Sequence, residues 1–345
     1  MPLDVVALTR RLVDFKSISG NERECGEFLY GFLSGLAEEH GGAVSKMPVH
    51  DLRGAGFDAG RFNVLATFGN PAVTLTTHFD TVPPFFESSE DATHVYGRGS
   101  CDAKGIVASM VCAGERLLSE GKTGVALLFV VGEEEGSDGA YEAAKRPIGS
   151  KYLINGEPTE NQLALGSKGA LRLVLKATGR MAHSAYSELG ESAIDKLIDA
   201  LSAIREAPLP SDPVLGETTL NVGTIRGGRA PNVVPDEATA EILVRLVGPA
   251  DPVRELLRDA VDGRCDIDDG ICIPALHLES RPGFETCVVK YTTDVPLFGE
   301  GWGRPFLMGP GTIHVAHTLD ERIAKADMAA AVDAYARLAG ELLEG

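Results

Sequence analysis

The chain has 345 residues, 44% of them hydrophobic and 24% charged, an ordinary globular composition with enough length for two compact domains. A formal net charge of −18 and a pI near 4.9 argue against a nucleic-acid partner, because neutralising phosphates requires a surplus of Lys and Arg. No run reaches the roughly 18 to 20 apolar residues of a membrane span, and Asp4 interrupts the first apolar run while Arg10 and Arg11 follow it, unlike a secretory signal.

Val5, Leu8, Leu12 and Phe15 recur at helical spacing, and a second helical pattern runs from Arg23 to about Glu39, where Gly41-Gly42 stops it. Apolar runs of strand length follow at 63–68 and 72–77, then a helix over 104–120, a strand over 125–131 and a short strand over 152–154. Near-continuously apolar strands alternating with helices predict an α/β domain whose mainly parallel or mixed sheet is covered by helices.

From about Gly166 the order becomes strand (170–178), helix (192–205), two strands (219–225 and 238–246), helix (252–261) and strand (271–278). That β-α-β-β-α-β order predicts an inserted ferredoxin-like α+β domain. Residues 294–298, 306–307 and a last helix over 323–343 carry too little to fold alone, so they complete the first domain. The expected domains are therefore 1–165 with 279–345, and 166–278. Six cysteines without a CxxC pair read as reduced thiols of a cytoplasmic protein.

Acidic residues and histidines recur just past the ends of these strands: His78-Phe79-Asp80, Glu133-Glu134-Glu135 and Glu157, with Asp102 opening a helix behind a glycine-rich loop. One such residue needs no explanation beyond the polarity of loops. Several aimed at one sheet edge indicate a site, since ligands of such sheets gather outside the strand ends. Nitrogen and carboxylate donors without a thiolate cluster suit zinc, cobalt or manganese, and a bridging carboxylate lets two ions sit about 3.5 to 4 Å apart with a water between them.

In THFDTVPP, His78 is a candidate ligand and Asp80 a candidate acceptor for its other ring nitrogen, although Asp80-Thr81 before Pro83-Pro84 is also ordinary turn chemistry. In YGRGSCDAKG, small residues let the backbone turn tightly around Asp102, which replaces the third glycine of a dinucleotide-binding GxGxxG and weighs against a phosphate cradle. VGEEEGSDG supplies adjacent carboxylates, one for a metal and one free to act as general base. Glu133-Glu134 and Glu134-Glu135 both fit that pairing. INGEP offers Glu157, and GPGTIHVAHTLDE offers His314 and His317, between which spacing alone does not choose.

In order and over nearly the whole chain, these motifs resemble those of the M20 family, which includes acetylornithine deacetylase, succinyl-diaminopimelate desuccinylase, aminoacylase and glutamate carboxypeptidase. The matching pattern is an H-x-D, a GRG-x-x-D-x-K-G, an EE-x-G-x-x-G, a GEP and a late AH-x-x-x-E. The resemblance implies two divalent ions, most simply zinc, with cobalt or manganese as alternatives. Their ligands would be His78, Asp102, Glu134, Glu157 and His317, with Asp102 bridging. Glu133 would then be the general base and Asp80 the residue that orients His78.

The resemblance also makes the inserted domain a lid and dimerisation domain, and hence the protein a homodimer. His183 of GRMAHSAYSELGESAI would reach a neighbouring subunit's site and bond the oxyanion. Asn232 of APNVVPD and Arg245 of EILVRL would bind the substrate carboxylate or the developing oxyanion. Two positions depart from the family: Gly132 stands where an Asp is usual, and Leu243 where an acidic residue often precedes the lid arginine. The implied activity is hydrolysis of the amide of a small N-acyl amino acid or short peptide, with AHTLDE favouring a deacetylase of the acetylornithine type. A carboxypeptidase or dipeptidase using the same metals is the alternative. A non-catalytic binding relative would lack a base or a ligand, and none is missing.

Overall fold

A computed structural model describes residues 2–51 and 60–344. The chain divides into two compact units, one of Met1–Ala164, Leu278–Cys287 and Thr293–Gly345, the other of Leu165–His277 and Val288–Thr292.

In the first unit, Asp4 caps the helix Val5–Val13, its Oδ1 accepting from the backbone nitrogens of Val6 and Ala7 at 2.9 and 3.1 Å. The helix Arg23–His40 ends at Gly41, whose φ of 70° lies in the left-handed region that closes helices at little cost for glycine. The central sheet has the order Ala43–Pro48, Phe62–Phe68, Val125–Val130, Val73–His78, Tyr152–Asn155, Arg304–Leu307. The first three strands pair antiparallel and the last four run parallel, so the sheet is mixed.

Its two faces follow from the period of a strand. Val125, Leu127 and Phe129 enter one core with Leu75, Ile106 and Met110, whereas Ala126, Leu128 and Val130 enter another with Phe298 and Trp302. Covered on both faces, the central strands are apolar throughout. The helix Gly105–Ser119 is buried on most of its circumference and packs in the first of these cores. Among the described residues, no helix is long and apolar enough to cross a membrane.

The second unit is a four-stranded antiparallel sheet of order Thr219–Gly227, Glu237–Leu246, Gly169–Thr178, Asp266–Ile273. The helices Ala193–Glu206 and Ala250–Val261 bury Leu197 with Leu201 and Val253 with Leu257 at helical spacing against it. This is the expected ferredoxin-like arrangement. One boundary differs: the last strand starts at Asp266 instead of near Ile271. It is an edge strand, and its exposed Asp268 and Asp269 pair with Lys176 and Arg254. Charge of that kind protects a sheet edge, but it hides the strand's start from any search for apolar runs.

The turn after Val130 is held from the side by Asn63, whose Oδ1 accepts from Val131 N at 3.2 Å and whose Nδ2 donates to Gly139 O at 2.8 Å. A Cβ at Gly139 would lie 2.4 Å from the Val131 carbonyl oxygen and 2.6 Å from Asn63 Oδ1. Gly139→Ala should therefore destabilise the chain by about 1–3 kcal/mol, outweighing the gain of up to about 1 kcal/mol in helix propensity. An unchanged or raised urea midpoint would show that the turn has slack.

Candidate metal centre

Three adjacent parallel strands deliver side chains to one edge of the sheet. Val73–His78 ends on His78, Val125–Val130 runs on into Glu133 and Glu134, and Tyr152–Asn155 leads to Glu157. The register sets His78 opposite Val130 and Thr76 opposite Asn155, so the first two strands end level and Tyr152–Asn155 ends two residues short of His78. Asp102 comes from the turn Ser100–Lys104, which feeds the buried helix. His317 lies between the strands Arg304–Leu307 and Arg322–Ala324, with a φ of 62° that is uncommon for a residue bearing a side chain.

These residues form two groups of three potential donors that share one carboxylate. His78, Asp102 and Glu157 make the first, and Asp102, Glu134 and His317 the second, with the donor atoms of each within 4.8 Å of one another. Asp102 Oδ1 is 3.0 Å from His78 Nε2, and Asp102 Oδ2 is 3.5 Å from His317 Nε2. His317 Nε2 is also 2.9 Å from Glu134 Oε1. Glu157 is buried, and its Oε1 has no hydrogen-bond partner among the described residues. A buried carboxylate oxygen without a donor is costly. A set of imidazole and carboxylate donors with such an orphan fits divalent cations.

The electrostatics point the same way. Burial and the neighbouring charge of Glu157 hold Glu133 well above the usual carboxylate range. Burial and Asp102 do the same to Glu157, and they raise Glu134 to about 7 against the pull of His317. Hydrogen bonds with Asp102 and Glu134 raise His317 to about 10. Burial opposes the charged form of His78, yet its bonds with Asp102 and Asp80 lift it well above the usual imidazole value. The cluster has more carboxylates than its two imidazoles can neutralise, a surplus that cations would relieve.

Asp80 stands behind His78. His78 Nδ1 is 3.1 Å from the Asp80 carbonyl oxygen and 3.4 Å from Oδ1. The Asp80 carboxylate also accepts from Ser19 Oγ at 2.6 Å and from the backbone nitrogens of Glu133 and Glu134 at 3.1 and 3.2 Å. It thereby ties one strand end to the next. Glu133 lies beside both donor groups and belongs to neither. Glu135 and His314 are exposed and lie outside them.

The other expected residues belong to the second unit. His183 Nδ1 accepts from Ala185 N at 3.1 Å, so the neutral ring carries its proton on Nε2 and can donate from there. Ser184 N donates to Asn232 O at 3.0 Å, which makes His183 and Asn232 spatial neighbours. Arg245 is half-buried opposite Ala170 and Thr219, and burial alone lowers its pKa.

Sequence reasoning missed Ser19 and Asp294. Asp294 is buried, and burial raises it to about 7. Its charge adds to the shifts of Glu133 and Glu157. Nothing in TTDVPLF distinguishes Asp294 from a helix-capping aspartate.

Residues 165–264 match the family model of the peptidase dimerisation domain. A probable carboxypeptidase of Aspergillus terreus is 39% identical, the alignment covering 95% of this chain and 84% of that protein. A peptidase M20 domain-containing protein of Schizosaccharomyces pombe is 35% identical over 97% of this chain and 84% of its own length. Among solved structures, the aminopeptidase PepT of Bacillus cereus superposes with a TM-score of 0.77 at 19% identity, covering 98% of both chains, which is a likeness of fold.

The charge surplus sets a pH signature for the chelated protein. Carboxyls with raised folded pKa values, Glu134 and Asp294 at about 7, bind more protons folded than unfolded between about pH 4.5 and 7, so stability falls as pH rises through that window. His317, raised to about 10, loses its contribution from about pH 6.5 upward. The melting temperature of the chelated chain should therefore fall from pH 5 to pH 8, and added divalent cation should restore more at pH 8 than at pH 5. A melting temperature that rises with pH over this range would contradict the charge assignment.

Proposed function

The chain belongs to the M20 peptidase family, and on that premise we propose that it is a two-cation hydrolase of short peptides, acting as a carboxypeptidase or dipeptidase. The observation that carries the proposal is Asp102, shared by two three-donor groups while Glu133 stands beside them unused. The deacetylase reading favoured by AHTLDE takes second place. The A. terreus relative bears the name of a probable carboxypeptidase, and that supports what the sequence alone ranked as the alternative.

Two divalent ions, zinc by the chemistry of the donors and cobalt or manganese by substitution, would polarise the scissile carbonyl and make a water acidic enough to attack near neutral pH. His78, Asp102 and Glu157 would hold one ion, and Asp102, Glu134 and His317 the other. Glu133 would take the proton of the attacking water and then give it to the leaving amine. The surroundings of Glu133 suit both halves, because burial and like charges raise its proton affinity towards that of a working base. His183 would donate from Nε2 to the oxyanion, and Asn232 and Arg245 would bind the oxyanion or the substrate's terminal carboxylate. A homodimer formed through the second unit is the simplest use of a dimerisation domain and would bring His183 to a partner's site.

Glu133→Ala should abolish turnover, with a loss of at least about 100-fold, while leaving the metal content measured by elemental analysis unchanged. Retained turnover would remove Glu133 from the mechanism. Release assays with added zinc, cobalt or manganese should favour dipeptides and tripeptides with a free C-terminal carboxylate over N-acetyl amino acids. Faster release from the N-acetyl series would return the deacetylase reading to first place.

A further inference from the structure

Asp102 reaches both donor groups, yet it sits on a turn whose backbone has non-helical angles at Asp102 and Ala103. What holds that turn comes from far along the chain. Glu321 is buried, and its Oε1 accepts from the backbone nitrogens of Gly99, Cys101 and Asp102 at 2.9, 3.2 and 3.1 Å. Its Oε2 accepts from Arg98 Nη1, also buried.

Chain pairing fixes the placement. Arg322–Ala324 pairs antiparallel with His94–Tyr96, Arg322 lying opposite Tyr96, and Gly97 N donates to the Glu321 carbonyl at 3.2 Å. Glu321 is thereby set against the Gly97–Asp102 turn just before the helix Gly105–Ser119 begins. Converging backbone N–H groups ahead of a helix form a natural anion site. Here the chain fills it with its own carboxylate.

Glu321 also ends the segment that carries His317, whose Nε2 approaches Asp102 from its other side. The two ends of AHTLDE thus grip the same residue, Glu321 by its backbone nitrogen and His317 by its carboxylate.

We infer that Glu321, buttressed by Arg98, is a positioning residue for the two-cation site: it fixes the Asp102 turn and joins it to the His317 segment. The inference rests on the two-cation reading. Among the described residues, the Glu321 carboxylate bonds to backbone nitrogens and to Arg98, so it acts through Asp102.

The test is a calorimetric titration of the full chain with Co(II) after chelation, with the visible absorption of the loaded protein recorded alongside. Wild type should take up two ions. Glu321→Gln keeps the size of the side chain and removes its charge. It should weaken cation affinity by about 10–100-fold, the usual effect of losing a residue that orients a ligand, and displace the Co(II) bands while far-UV circular dichroism stays unchanged. A folded Glu321→Gln protein with wild-type affinity and spectrum would overturn the inference. Should that variant fail to fold, Arg98→Met decides in its place: weakened affinity in a folded protein supports the role, and wild-type affinity overturns it. A wild-type chain that binds no cation would sink the two-cation reading itself and take the inference with it.

Discussion

The sharing of Asp102 between two donor groups is the constraint on which the site depends. Putting Asp102, Glu134, Glu157 and Glu133 at one buried edge costs desolvation and mutual repulsion, seen in the upward shifts of the three glutamates. Two imidazoles cannot offset that. An arrangement that is unfavourable for a bare protein becomes favourable once cations occupy it, which is how a fold stores affinity for metal. The downward shift of Asp102 itself, against its burial, comes from the bonds it makes to His317 and His78.

Such crowding persists only if the backbone cannot relax. Parallel pairing sets the ends of Val73–His78 and Val125–Val130 level, and Asp80 then links these two by accepting from Glu133 and Glu134 while standing behind His78. Glu321 does the same for the turn that carries Asp102. In both places a carboxylate is held by backbone N–H groups, so acidic residues that add to the negative charge also neutralise the positive ends of backbone dipoles. The acid-rich composition near the site has two parts, one facing the cation positions and one turned inward as mortar.

The central strands were legible because burial on both faces leaves nearly unbroken apolar runs, as in Val125–Val130, and Gly41 marked a helix end by its need for a left-handed φ. His78, Glu134 and Glu157 could be named as candidate ligands, and Glu133 as a candidate base, because they follow those runs closely. The start of the edge strand at Asp266 was not legible, since charge protects it and no apolar pattern announces it. Ser19 and Asp294 were invisible for another reason: each acts by proximity across the fold, and no local spacing encodes that. Glu134 and His317, which the family resemblance preferred over Glu135 and His314, fall within one three-donor group, and Glu135 and His314 fall outside both groups.

The substrate was the least legible feature, and the contacts show why. AHTLDE suggested a deacetylase, but its His317 meets Asp102 and Glu134 and its Glu321 meets the Asp102 turn. Both are directed at the candidate metal centre. An N-acyl amino acid and a dipeptide present the same amide and the same carboxylate on the leaving side; they differ only in what the acyl side carries. Residues that build the hydrolytic centre are therefore common to both reactions, and a motif made of such residues carries no information about the acyl group. Discrimination has to come from side chains that face the acyl portion, where each unpaired polar group rejects the wrong substrate more strongly than a lost apolar contact would.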